Sequence, residues 1–259
     1  MNAKGYSRRG IHWLGAGLGL AVAGYATVVG ATWLRYGRRT RAAPDEADPT
    51  LDRFMPEYDV TERHHVRVAA PPEVTLAAAA EADLQQSVVV RAIFRARELV
   101  LGASPTGVAR RPKGLLAEVE SMGWRVLAET PGREVVVGAV TQPWLANVRF
   151  RGLGPDEFRA FHEPGYVKIA WTLRADPLGA GSVFRTETRV ATTDATARRA
   201  FRWYWARFSP GIVLIRQFLL KHLKQDAERR VAPLAESKSS GPGTMEAMRS
   251  QARRRNTPS

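Results

Sequence analysis

Two runs of strict alternation joined by a turn-rich spacer constrain this chain more than any other feature. Val167, Ile169, Trp171 and Leu173 fall on one side of the first run, and Tyr166, Lys168, Thr172 and Arg174 on the other. In the second, Phe184, Thr186, Thr188 and Val190 oppose Arg185, Glu187 and Arg189. This pattern predicts two antiparallel strands with a buried and a more polar face. Pairing Leu173 with Phe184 across "ADPLGAGS" sets Trp171 against Thr186 and Ile169 against Thr188, with Lys168 diagonal to Glu187. A long helical region follows. Asp194 suits its N-cap, and Ala197, Phe201, Tyr204, Trp205 and Phe208 form an apolar stripe at helical spacing. Ser209-Pro210-Gly211 predicts a kink or break, after which Ile212, Ile215, Leu219 and Leu223 continue the stripe.

Upstream, "HHVRVAA" reads as a short strand and Pro72-Glu73 as the start of a helix. A second helix, Leu84 to Leu101, carries Val88, Ala92, Ala96, Leu99 and Val100 on one stripe. The turn-rich residues 102–114 predict an exposed loop. Trp124 to Glu129 and Glu134 to Val140 read as a hairpin, with Pro131 and Gly132 in the central positions of a type II turn. Val148 and Phe150 alternate with Arg149 and Arg151, and "GPDEFRAF" opens a short helix.

From Trp13 to Leu34 there are 22 residues without a charge, a helical length that covers the ~30 Å hydrocarbon core of a bilayer. Trp13, Trp33 and Tyr36 suit the two interfaces. A cleaved export signal is the alternative, since Ser7-Arg8-Arg9 and Ala21-Val22-Ala23 loosely resemble its start and its cleavage site. The run, however, continues past Ala23 into an arginine cluster. The expected localisation is therefore a single-pass membrane protein with its body on the cytoplasmic side. Gly15 and Gly19 have the spacing that lets two such helices approach as a homodimer. The expected division is a basic N-terminus (1–11), a transmembrane helix (12–35), a linker (36–57), a folded domain (58–232) and a disordered basic tail (233–259).

Charge follows the same division. Of the net +14, residues 1–41 supply +7 and residues 229–259 supply +5, leaving +2 on a body with 25 basic and 23 acidic residues. A nucleic-acid partner requires a basic face on the domain itself, so none is expected. Basic flanks beside an apolar run instead suit anionic lipid headgroups. With no cysteine, a disulfide scaffold, a thiolate metal site and a cysteine nucleophile are all excluded.

The stretches "HHVRVAAPPEV", "AETPGREVVVG" and "EPGYVKIAWTLRADPLGAGSVFRTETRVATTD", running into "RRAFRWYW" and "LIRQFLL", resemble the START-like helix-grip superfamily (SRPBCC), which includes polyketide cyclase/dehydrase and lipid-transport types. The resemblance covers roughly residues 60–230. It implies an α+β helix-grip fold: a curved antiparallel sheet wrapped around a long C-terminal helix, with two short helices after the first strand. It also implies an internal cavity for a hydrophobic small molecule such as a lipid, sterol or polyketide. One departure is Val74-Thr75-Leu76, where members often carry a bulky aromatic.

If the resemblance holds, the ligand-cavity candidates are Trp124, Phe150, Ile169, Trp171, Phe184, Thr186, Thr188, Phe201, Tyr204, Trp205 and Phe208. The two threonines are equally compatible with plain strand-forming residues. His162 and Glu163 are adjacent before Pro164-Gly165, which fits a helix-to-strand corner better than an acid/base pair, because neighbours on a helix point in different directions. His64, His65 and His222 show no metal-ligand spacing, and no nucleophile elbow, phosphate loop or dinucleotide fingerprint occurs. No catalytic residue, metal or cofactor is assigned. Three classes stay open: a membrane-anchored binding or transfer module, a cyclase/dehydrase-type enzyme on the same fold, and a membrane-bound interaction protein without ligand.

Overall fold

The computed structural model describes residues 5–38, 43–83, 88–102 and 114–239. Its elements are α1 (Gly5–Arg35), α2 (Pro49–Phe54), β1 (Val60–Val68), α3 (Pro72–Ala80), α4 (Val88–Leu101), α5 (Leu115–Ser121), β2 (Arg125–Thr130), β3 (Glu134–Thr141), α6 (Pro155–Ala160), β4 (Val167–Leu178), β5 (Gly181–Thr192) and α7 (Ala195–Ser239). The five strands form one antiparallel sheet in the order β1-β5-β4-β3-β2. Its inner face lies under α7, which is the expected α+β helix-grip arrangement.

Alternation decides both faces. Inward, Val68, Val135, Val137, Leu173 and Phe184 pack with Leu223 and Ala227 of α7, closing one end of the grip together with α3 and α5. At the other end Val60, Val167 and Val190 meet Phe201 and Trp205. Outward, Val136, Val140 and Ala170 meet Leu127, Phe158 of α6, and Leu51, Phe54 and Met55 in and just after α2. A Cβ on Gly138 would lie 2.5 Å from Leu127 Cδ1 and 3.1 Å from Phe158, so that close approach requires glycine.

The β4–β5 register departs from the expected one by two residues. The strands continue through the spacer to a two-residue turn at Gly179-Ala180, with Gly179 at φ +59° and Leu178 paired to Gly181. Trp171 therefore pairs with Thr188 and Ile169 with Val190, while Phe184 meets Ala175. An even shift preserves the faces but abolishes the Lys168–Glu187 pair. Lys168 Nζ donates instead to the Arg159 carbonyl (3.0 Å), and Glu187 accepts from Arg63 (2.9 Å) and Arg189 (2.7 Å).

Other expectations hold or change with clear causes. The hairpin turn closes through Arg133 N–H to the Thr130 carbonyl (2.9 Å), with Gly132 at φ +69°. Asp194 caps α7 by accepting from the amides of Thr196 (2.6 Å) and Ala197 (2.8 Å). Three helices, not two, separate β1 from β2, because α5 follows the expected pair. Only an isolated bridge from Val140 to Arg151 forms where Val148–Arg151 alternates. The long helix runs unbroken through Pro210, with Gly211 so near α4 that a Cβ would meet Ile93 at 2.9 Å. It also passes Ala232 to reach Ser239, while the rest of the tail lies outside the described residues.

Residues 36–57, expected as a linker, belong in part to the domain. Leu51 is 0% exposed, the Asp48 side chain caps α2 by accepting from the Leu51 amide (2.8 Å), and Asp52 pairs with Arg189 (2.6 Å). The stripe expected to bury α4 is the opposite surprise: Ala92, Ala96, Leu99 (81%) and Val100 (67%) are exposed, and the contacts to the body run through Ile93 and Arg97.

Among the described residues no helix is long and apolar enough to cross a membrane. The side chains at 13–18 and 21 of the expected span lie outside the described residues. Its other half lies on α7: Tyr25 Oη donates to the Arg207 carbonyl (2.5 Å), and the Trp33 carbonyl accepts from Arg202 (2.8 Å). Trp33 also packs on Trp203, with ring centroids 4.3 Å apart.

Candidate functional site

The inner sheet face carries a buried apolar cluster at each end, with partly exposed side chains between them. There the inward residues of β1 are Glu62 and His64, paired across to Thr188 and Thr186 of β5. Above them the inward stripe of α7 reads Phe201, Trp205, Ile212, Arg216, Leu219 and Leu223, so an arginine occupies the position four residues after Ile212, where the periodicity calls for a hydrophobe. Arg216 Nη1 donates to Thr186 Oγ1 (3.3 Å) and Nη2 donates to Thr188 Oγ1. Its Nε is enclosed and has no hydrogen-bond partner among the described residues.

The charges around this arginine are shaped by burial. Enclosure lowers the Arg216 guanidinium to about 10, with Glu62 acting the other way through space. Burial raises the Glu62 carboxyl, which Arg216 only partly offsets. Burial, with Arg216 and His65 behind it, lowers the His64 imidazole and favours its neutral form. His64 Nε2 stands 3.8 Å from Glu62 Oε2, too long for a hydrogen bond, and is enclosed without a hydrogen-bond partner among the described residues. The apolar surroundings stay partly open: Ile169, Trp171, Ile212, Ile215, Leu219 and Leu220 all keep intermediate exposure. Such an arrangement presents hydrogen-bond donors and one cation to a molecule whose remainder is apolar. Among the described residues no three His, Asp or Glu side chains converge as a metal site.

The eleven expected cavity residues separate into four places. Thr186 and Thr188 lie directly under Arg216, with Trp171 paired to Thr188 beside them. Trp124 extends the aromatic wall, its ring centroid 6.1 Å from Trp171 and 5.0 Å from Phe150. Phe184 belongs to one closed end, and Phe201 and Trp205 to the other, with Ile169 and Tyr204 packed against them. Phe208 faces elsewhere: with Tyr25, Ala26, Val29, Val100 and Arg207 it lines an open cleft of about 400 Å³ between α1, α4 and α7. Sequence reasoning missed Glu62, His64 and Arg216. Their signal was a polar residue at an inward position of an otherwise apolar period.

His162 and Glu163 form the corner that their adjacency suggested. His162 Nδ1 lies 2.6 Å from the Ala160 carbonyl, while Glu163 pairs with Arg151 (2.8 Å); both are exposed, and Gly165 follows at φ +86°.

No family model matches the chain. No curated protein matches it either. Similar solved structures include a protein from Chromobacterium violaceum (15% identity, TM-score 0.29, covering 65% of this chain and 97% of that one). KanY is similar at 18% identity and a TM-score of 0.28, with 65% and 97% covered. The Zhui aromatase/cyclase from Streptomyces sp. R1128 is similar at 18% identity and a TM-score of 0.22, with 66% and 95% covered. Likenesses this distant carry no functional argument. What makes the chain a helix-grip fold is its own strand order and the lie of α7 across the inner face.

Proposed function

We propose that the chain is a binding or transfer module for a largely apolar small molecule, held between the inner sheet face and α7. The observation that carries this reading is the partly exposed, mixed polar and apolar stretch at the centre of the grip. Clusters at both ends are fully buried, whereas the aromatic and aliphatic side chains between them keep partial exposure around a polar floor. The N-terminal helix supplies a membrane attachment in this proposal, supported by exposed Leu20, Val22, Val28 and Leu34 on α1, by exposed Leu99 and Val100 on α4, and by the basic flanks. The full-length chain purified in mild detergent should release a stoichiometric small molecule on organic extraction, read by mass spectrometry. Extracts indistinguishable from detergent blanks, together with no uptake of added lipids, sterols or polyketide-like aromatics, would end the proposal.

A second reading, a cyclase- or dehydrase-type enzyme, is favoured by one arrangement: an imidazole shifted towards its neutral form and a carboxyl with raised affinity for its proton lie on β1 beside the threonines that hold the Arg216 guanidinium. Under that reading His64→Gln removes turnover by ~100-fold or more while binding persists.

A further inference from the structure

Resting on the binding proposal above, we infer that the occupant is an acid: a carboxylate on an apolar body, seated against Arg216 with its remainder along Trp171 and Leu219. Three observations lead there. Arg216 projects from the middle of an apolar helix stripe into the grip, where a cation is costly to desolvate without an anion in contact. Thr186 and Thr188 hold the guanidinium from below through its two terminal nitrogens and carry no charge themselves. Among the described residues the Nε–H is then left enclosed without a hydrogen-bond partner, and the acidic neighbour, Glu62, acts only through space. A guanidinium fixed on one side by hydroxyls, with a free donor on another, matches a carboxylate oxygen better than an ester, alcohol or hydrocarbon end, because only the carboxylate supplies the missing charge along with the hydrogen bond.

Both aliphatic and aromatic acids satisfy this chemistry, so the test carries both. The full-length chain in one non-ionic detergent is titrated with palmitate, methyl palmitate, anthracene-2-carboxylate and its methyl ester, and bound ligand is read by native mass spectrometry. The expected result is a preference of at least tenfold for an acid over its own ester, with the preferred pair showing whether the body is a chain or a ring system. Arg216→Gln should abolish that preference, bringing acid and ester binding to the same level, whereas Arg216→Lys should retain part of it. If Arg216→Gln does not fold by circular dichroism, the double variant Thr186→Val, Thr188→Val takes its place, because it keeps the charge but loosens its seat and should reduce the acid-over-ester ratio. Equal retention of acid and ester by the unaltered chain overturns the acid inference and leaves the binding proposal standing. Retention of neither overturns both.

Discussion

Glu62 shows how one half-buried carboxyl makes stability depend on pH. Its folded pKa is raised by burial from the ordinary 4.5, so the fold disfavours its charged form. The sign follows: below 4.5 the group is neutral in folded and unfolded chains alike and costs nothing. Stability is lost as pH rises from there through the folded value. Glu62→Gln should therefore melt with the unaltered chain at pH 4 and above it at pH 7, measured by thermal unfolding with both proteins in the same buffers. An equal offset at both pH values would show that the carboxyl is not desolvated. Thr188→Val keeps the side-chain shape but leaves Arg216 Nη2 without its hydroxyl acceptor, and should cost about 1–3 kcal/mol. His162→Ala, at an exposed corner, should stay within about 0.5 kcal/mol in the same melts.

At the scale of elements, the outer sheet face depends on α2 as much as the inner face depends on α7. Leu51, Phe54 and Met55 complete an apolar layer with Phe158 and Val136, and Arg189, 3% exposed, joins β5 to the Asp52 carboxylate and the Met55 carbonyl. Glu187 binds Arg189 and Arg63 at once, so one side chain neutralises two guanidiniums in a shielded place. Glu187→Leu is expected to cost about 3–5 kcal/mol in chemical denaturation, because it removes the shielded carboxylate that Arg63 and Arg189 share and leaves buried Arg189 to the exposed Asp52 carboxylate. Leu51→Ala should cost about 2–5 kcal/mol through the cavity it leaves, with α7 and the inner face undisturbed.

For the molecule as a whole, these contacts move the domain boundary. A chain beginning at residue 42 keeps α2 and should fold cooperatively. One beginning at residue 58 loses Leu51, Phe54 and Met55 together and should melt more than ~10 °C lower, or fail to fold. Removing residues 1–41 also takes away α1 and Tyr36, which lie against Trp203 and Phe201. Carbonate extraction of cells expressing the full and shortened chains tests the proposed attachment: the full chain should stay with membranes and the shortened one should leave them. If both partition alike, α1 serves only as a packing partner for α7.

The sequence by itself determined the elements and their faces. Period-two alternation fixed which side chains of β4 and β5 look inward, and Pro131-Gly132, Asp194 and Gly165 marked a turn, a cap and a corner through constraints that act within a few residues. The tertiary structure decided what each face meets. Strand parity survives an even register shift, so alternation could not choose between Thr186 and Thr188 as the partner of Trp171; the two-residue turn at Gly179-Ala180 did. Composition could not distinguish a linker from a docked segment at 49–55, since α2 is too short to show a period and its apolar residues acquire meaning only against Phe158 and Val136. Arg216 lies far along the chain from Glu62 and His64, and their meeting under one helix depends on how α7 crosses the sheet, a geometry set by packing at both ends of the grip.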